Sequence, residues 1–192
     1  MNSAVKTIAF FTPRMEIGGA ETYIINKAKW LIDHNYNVVI FSAGGVFVDN
    51  LPTHVKHVRF DYIDVPVFCL KRETKKSFLN FLKDELKNNQ VDLIEAFDIF
   101  PIVYALYIFQ IAGIPFFINI LAELGFIKNP MVCLTTIFMN NKKLYYTINN
   151  GINQSLQKIT HHKLNNCQVV PLPIVYNKDL IPQNDNYVLS VC

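Results

Sequence analysis

Thr7-Ile8-Ala9-Phe10-Phe11-Thr12-Pro13-Arg14-Met15-Glu16-Ile17-Gly18-Gly19-Ala20-Glu21 is the stretch that decides the fold. Its first six residues are apolar or β-favouring and stop at a proline, as a short buried strand does. A loop ending in two glycines follows, and from Ala20 the pattern becomes helical. A strand, a glycine pair and a helix start together suit an anion. Glycine lets the backbone come close to a ligand. The first amides of a helix have no intrahelical partner, and the helix dipole adds partial positive charge there. The expectation is a phosphorylated or otherwise anionic ligand at this turn.

Outward from that turn, strand and helix signals alternate. Strands are expected at 7–12, 37–43, 55–60, 91–96, 114–120, 143–148 and 167–170, and helices at 20–34, 74–88, 101–112 and 151–159. Tyr23, Ala28, Trp30 and Leu31 supply apolar positions of the first helix. Phe78, Leu79, Leu82 and Leu86 recur on one side of the second, with lysines on the other. Short apolar strands alternating with helices predict an α/β fold, a Rossmann-like parallel sheet with helices on both faces. In such sheets ligands bind beyond the carboxyl ends of the strands, where the glycine pair lies. Residues 99–118 are nearly uncharged and long enough to be weighed as a membrane span. Pro101, Gly113 and Pro115 divide them instead into a buried helix, a break and an inner strand.

Composition sets outer bounds. The chain has 192 residues, enough for one sizeable domain, and is 51% hydrophobic and 17% charged, so it can fill a core. A net charge of +3, spread along the chain, lacks the clustered basic stripe of a nucleic-acid binder. Cys69, Cys133, Cys167 and Cys192 form no close pair, which suits reduced thiols in a cytoplasmic protein. No secretory signal pattern opens the chain. The Asn, Lys and Ile content resembles that of an AT-rich bacterial genome. Polar residues 178–186, with Pro182, read as a linker, and Tyr187-Val188-Leu189-Ser190-Val191 as the start of another strand. The expected division is a domain over 1–185 and the beginning of a second, truncated one over 186–192.

Known anion motifs narrow the site. A dinucleotide fold needs G-x-G-x-x-G and an acid at the end of the second strand. Here the glycines are adjacent and the second strand ends Phe41-Ser42-Ala43-Gly44, so a nicotinamide or flavin site is not expected. No Lys-Ser or Lys-Thr follows a glycine loop, which excludes a P-loop. His161-His162 is adjacent in sequence, and His34, His54 and His57 lack zinc spacing, so no metal site is expected.

The order of motifs resembles the N-terminal half of GT-B glycosyltransferases of family 4. The resemblance rests on Ile8-Ala9-Phe10-Phe11-Thr12, Ile17-Gly18-Gly19-Ala20-Glu21 and Asn37-Val38-Val39-Ile40 near the start. It continues through Val91-Asp92-Leu93-Ile94-Glu95-Ala96-Phe97-Asp98, Gly113-Ile114-Pro115-Phe116-Phe117-Ile118, Tyr145-Tyr146-Thr147-Ile148-Asn149 and Gln168-Val169-Val170-Pro171-Leu172-Pro173-Ile174. It implies a retaining transferase of hexosyltransferase type, used in bacterial surface polysaccharide assembly, with this chain as its acceptor-side domain. The full enzyme would move a sugar from a nucleotide-diphosphate donor to a saccharide or lipid-linked acceptor, with no metal and no cofactor. This chain alone would not turn over. The resemblance gives Gly18 and Gly19 the donor diphosphate. Glu21, Asp98, Asn119, Glu123 and Asn149 are the candidates for acceptor contact, with a helix cap as the other reading of Asp98, a solvated acid of Glu123, and service to the helix start of Glu21. The pattern also departs from the family. Phe97 and Leu121 stand near positions where many members carry histidine, and Asn149 replaces a serine. Lys71, Arg72, Lys75 and Lys76 form a basic cluster that is either a solvated helix face or a contact for anionic lipid headgroups at the inner face of the membrane. The alternative from another class is a non-catalytic α/β nucleotide- or phosphate-binding module.

Overall fold

The computed structural model describes residues 6–63, 65, 69–97, 99–121, 145–147, 150–160 and 168–169. Its strands are β1 (Thr7–Phe11), β2 (Asn37–Ser42), β3 (Val55–Arg59), β4 (Val91–Phe97), β5 (Phe116–Ile120), β6 (Tyr145–Thr147) and β7 (Gln168–Val169). Its helices are α1 (Gly19–Asp33), α2 (Arg72–Asn88), α3 (Ile99–Ala112) and α4 (Asn150–Thr160), with a 3-10 turn at Val46–Asn50. The seven strands form one sheet in the order β3-β2-β1-β4-β5-β6-β7, and every neighbouring pair is parallel. This is the expected Rossmann-like α/β sheet. The chain winds outward from β1 to β3, then crosses back to β4 on the other side of β1. The strand order therefore reverses between β1 and β4, and the carboxyl ends of these two strands form the switch point at which open α/β sheets bind ligands.

Strand parity divides the core. Phe10, Val38, Ile40 and Phe97 face α1 and meet its Ile24, Ile25, Ala28 and Leu31. Residues of the opposite parity, among them Ala9, Phe11, Val39, Phe41, Ile94, Ala96, Phe116 and Ile118, form a second cluster with Leu82 and Leu86 of α2 and Ile102, Val103, Tyr104, Ala105 and Ile108 of α3. Both faces of the central strands are thus covered, which is why these strands read as almost continuous apolar runs. β1 and β4 slip by one residue between Thr7 and Ile8, and the Asp92 carboxylate accepts the Thr7 amide there at 2.9 Å.

Two expectations shift, and one element is new. β5 starts at Phe116 rather than at 114, because Pro115 has no N–H to give to a ladder. The turn at Val46–Asn50 has no strong periodicity in the sequence. Trp30 is not a core residue of α1. It is 56% exposed and stacks on His34 at 3.9 Å, while Ile24, Ala28 and Leu31, spaced four and three apart, take the inward face. The apolar α3 packs on the sheet through Ile102, Val103, Tyr104, Ala105 and Ile108, while Phe109 and Ile111 of its last turn are exposed. Among the described residues no helix is long and apolar enough to cross a membrane. Cys69 is exposed and free, and Cys133, Cys167, Cys192 and His161-His162 lie outside the described residues.

Candidate functional site

The loop from Thr12 to Gly18 leaves the carboxyl end of β1 at this switch point. Gly18 is the N-cap of α1, with extended backbone (φ −171°, ψ 170°) and no side-chain capping bond. Its carbonyl accepts the Thr22 hydroxyl at 2.8 Å and the Thr22 amide at 3.1 Å. Gly19 is the first helical residue. Among the described residues, packing does not demand the glycine pair. A β-carbon at Gly19 would meet nothing within 4 Å, and one at Gly18 would meet only the far end of the Glu21 side chain. That side chain folds back over Gly18, where an acid at the third helical position opposes the positive end of the helix. Ile17 stands at the loop tip, 82% exposed.

A second glycine pair supports the first. Gly44 and Gly45 have φ of 99° and 138°, a region that side chains disfavour. A β-carbon at Gly45 would overlap the Met15 carbonyl and lie 2.9 Å from the Met15 nitrogen. That close approach lets two loops zip together. Thr12 N–H donates to Phe41 O (3.1 Å), Ala43 N–H to Pro13 O (2.9 Å), Met15 N–H to Gly44 O (2.8 Å) and Phe47 N–H to Met15 O (2.8 Å). The Met15 side chain is fully buried under α1, which anchors the loop from below.

Under α1 lies a buried polar group. Lys27 Nζ reaches Glu95 Oε1 at 2.6 Å, with side chains 25% and 6% exposed. Asn119 Nδ2 donates to the same Glu95 oxygen at 3.0 Å and to the Tyr23 hydroxyl at 3.5 Å. The Lys27 ammonium also lies 5.7 Å from the Tyr23 ring centroid. This group ties α1 to β4 and β5, and so fixes the helix whose first turn carries the glycine pair. Register explains the meeting: Phe97 pairs with Asn119 and Phe10 with Glu95, so all four share the α1 face.

Of the candidate residues, Gly18, Gly19 and Glu21 are brought together at the loop. Asn119 is fully buried and its amide serves Glu95 and Tyr23. Asp98, Glu123 and Asn149 lie outside the described residues. Phe97 is core: its ring packs edge-on to Phe10 at 5.4 Å and to Tyr23 at 6.3 Å. Leu121 packs on the same cluster, which accounts for apolar side chains at both positions. The Lys27–Glu95 pair was not foreseen. Its signal is an acid inside an otherwise apolar buried strand, which demands a partner. A further unforeseen pair, Ser42 Oγ and His57 Nε2 at 2.8 Å, joins the last residue of β2 to the middle of β3. Burial, and after it the nearby Arg59 cation, hold the His57 pKa below its usual 6.5.

No family model matches the chain, and no curated protein matches it in sequence. Solved structures share its fold. The crystal structure of a glycosyltransferase from Rickettsia africae ESF-5 aligns with a TM-score of 0.67 and 15% identity, over 88% of this chain and 43% of that one. The apo form of the lipopolysaccharide outer core galactosyltransferase WaaB aligns with a TM-score of 0.58 and 17% identity, over 93% of this chain and 50% of that one. The chain therefore spans half or less of the length of either structure.

Proposed function

We propose that the chain is the acceptor-side half of a nucleotide-sugar-dependent glycosyltransferase of GT-B architecture, with the Gly18–Gly19 turn receiving the donor diphosphate. One observation carries the reading. The two glycines stand at a topological switch point, and nothing among the described residues needs them to be glycine. A ligand approaching the backbone supplies the missing reason. The fold shared with two glycosyltransferases supports the choice of ligand.

The proposed chemistry follows from the turn. As the bond from sugar to diphosphate breaks, negative charge grows on the leaving group. Amides fixed at a helix start stabilise that charge without reorganising, and without a metal. Glu21, folded over Gly18, occupies the same positive helix end, so its carboxylate swings aside as the diphosphate enters. The groups that grip the donor sugar belong to the part of the protein that this chain does not span, so the 192-residue chain alone does not turn over.

Further parts of the reading extend the family resemblance: hexosyl transfer with retained configuration, a saccharide or lipid-linked acceptor, and a place in bacterial surface polysaccharide assembly. Acceptor contacts are assigned to Asp98, Glu123 and Asn149, while the buried Asn119 holds Glu95 and Tyr23. Lys71, Arg72 and Lys76, exposed at the start of α2, and the half-buried Lys75 are assigned to anionic headgroups on the cytoplasmic face of the membrane.

The test is a titration with UDP, GDP and their sugars, followed by amide resonances. Shifts centred on Gly18 and Gly19 are expected. Binding that leaves these two amides unmoved, or no binding at millimolar ligand by the intact protein, would overturn the assignment.

A further inference from the structure

We propose that Ser42 and His57 are positioning residues that set the height of the Gly18–Gly19 loop. The inference rests on the reading of that loop as the diphosphate site. A path of hydrogen bonds runs from the pair to Met15, three residues before Gly18. His57 on β3 holds the Ser42 hydroxyl of β2 at 2.8 Å. The Ser42 oxygen, with two lone pairs, also accepts the Gly44 amide at 3.2 Å. The Gly44 carbonyl then accepts the Met15 amide at 2.8 Å. Met15 begins the final run to Gly18, and its buried side chain leaves the loop little freedom to drift.

Ser42 is fully buried, so the pair has no access to substrate and is not a nucleophile with its base. Its place explains it better. The segment from Ala43 to Gly45 runs at positive φ at both glycines, a conformation that needs fixed hydrogen bonds to persist. The Ser42 hydroxyl supplies one of them from within the strand end. The imidazole fixes the rotamer of that hydroxyl, because a serine oxygen alone has three staggered positions to choose from.

The test compares Ser42→Ala, His57→Leu and His57→Gln in the intact protein. The Gln amide reproduces the Nε2 position, so His57→Gln retains the bond to Ser42 and serves as the rescue. Two quantities are read: amide hydrogen exchange over residues 14–19 and at Phe47 against that of the β4 core, and the affinity for UDP. Ser42→Ala and His57→Leu are expected to speed exchange at Met15 and Phe47 while β4 stays as in the wild type. Both are expected to weaken UDP binding about five- to tenfold, the effect of one hydrogen bond, and His57→Gln to restore both readouts. Wild-type binding with the Ser42→Ala and His57→Leu variants binding and exchanging equally would overturn the positioning role. Failure of the wild-type protein to take UDP would overturn the diphosphate reading itself, and the positioning role with it, and is seen before any variant is made.

Discussion

Gly19→Ala separates the two demands that a glycine can serve. If Gly19 served the fold, adding a methyl group would destabilise the protein. The structure gives no such penalty: the position is the first residue of α1, it is not among the positive-φ glycines, and an added β-carbon meets nothing within 4 Å. Alanine also restricts the unfolded chain more than glycine does. The substitution should therefore stabilise the protein by about 0.5 kcal/mol, a rise in Tm of about 1–2 °C for a chain of this size. Ligand binding should move the other way. A methyl group standing between the backbone and a diphosphate removes at least one charge-assisted amide bond, worth about 1.5–3 kcal/mol, so UDP affinity should fall about tenfold to hundredfold. Thermal unfolding with and without UDP reads both quantities on one sample. A lower Tm without ligand would show that the glycine serves the fold. Unchanged UDP affinity would show that no ligand approaches this carbon. Either result refutes the reasoning.

Three other expectations can be checked on the same protein. Lys27→Met takes the ammonium from a carboxylate that is 6% exposed and should cost about 2–4 kcal/mol in urea unfolding, while Lys27→Met with Glu95→Gln, neutral on both sides, should recover most of it; a double variant no more stable than the single would count against the pair. Gly45→Ala forces a β-carbon onto the Met15 carbonyl at φ 138° and should cost at least about 2 kcal/mol, a loss that a thermal melt would show and that Gly19→Ala would not. For His57, the folded state holds fewer protons than the unfolded chain just below pH 6.5, because burial and Arg59 lower its pKa. Its contribution to stability is complete above 6.5 and is lost as pH falls through the lower, folded value. Unfolding measured on both sides of 6.5 should show this acid-side loss in the wild type and a flatter profile in His57→Gln.

Elements that depend on neighbours in the chain were legible before any coordinates. Thr7 to Glu21 shows a buried strand, a glycine turn and a helix start, and the structure places β1, the loop and α1 there. Gly113 and Pro115 divide α3 from β5 as their backbone restrictions require. The glycine pair could be named as a candidate because an anion site at a helix start is built from consecutive residues. Trp30 could not be placed, because an aromatic residue in a helix reads as core until the facing surface is known. Partner identity was not legible either. Glu95 announces a need for a cation, but its lysine is 68 positions away. The adjacent Gly44 and Gly45 look like the end of a strand, yet their conformation is set by the Met15 backbone, which belongs to another loop.

The physical reason is range. Side-chain periodicity, turn residues and helix starts are properties of a few consecutive residues, so the sequence alone determined the strands, the helices, their alternation and the glycine turn at the start of α1. Which strands lie side by side is decided by the burial of both sheet faces at once. Only the tertiary structure could therefore set β4 beside β1, bring Lys27 to Glu95, and seat Gly45 against Met15 beneath the loop that carries Gly18 and Gly19.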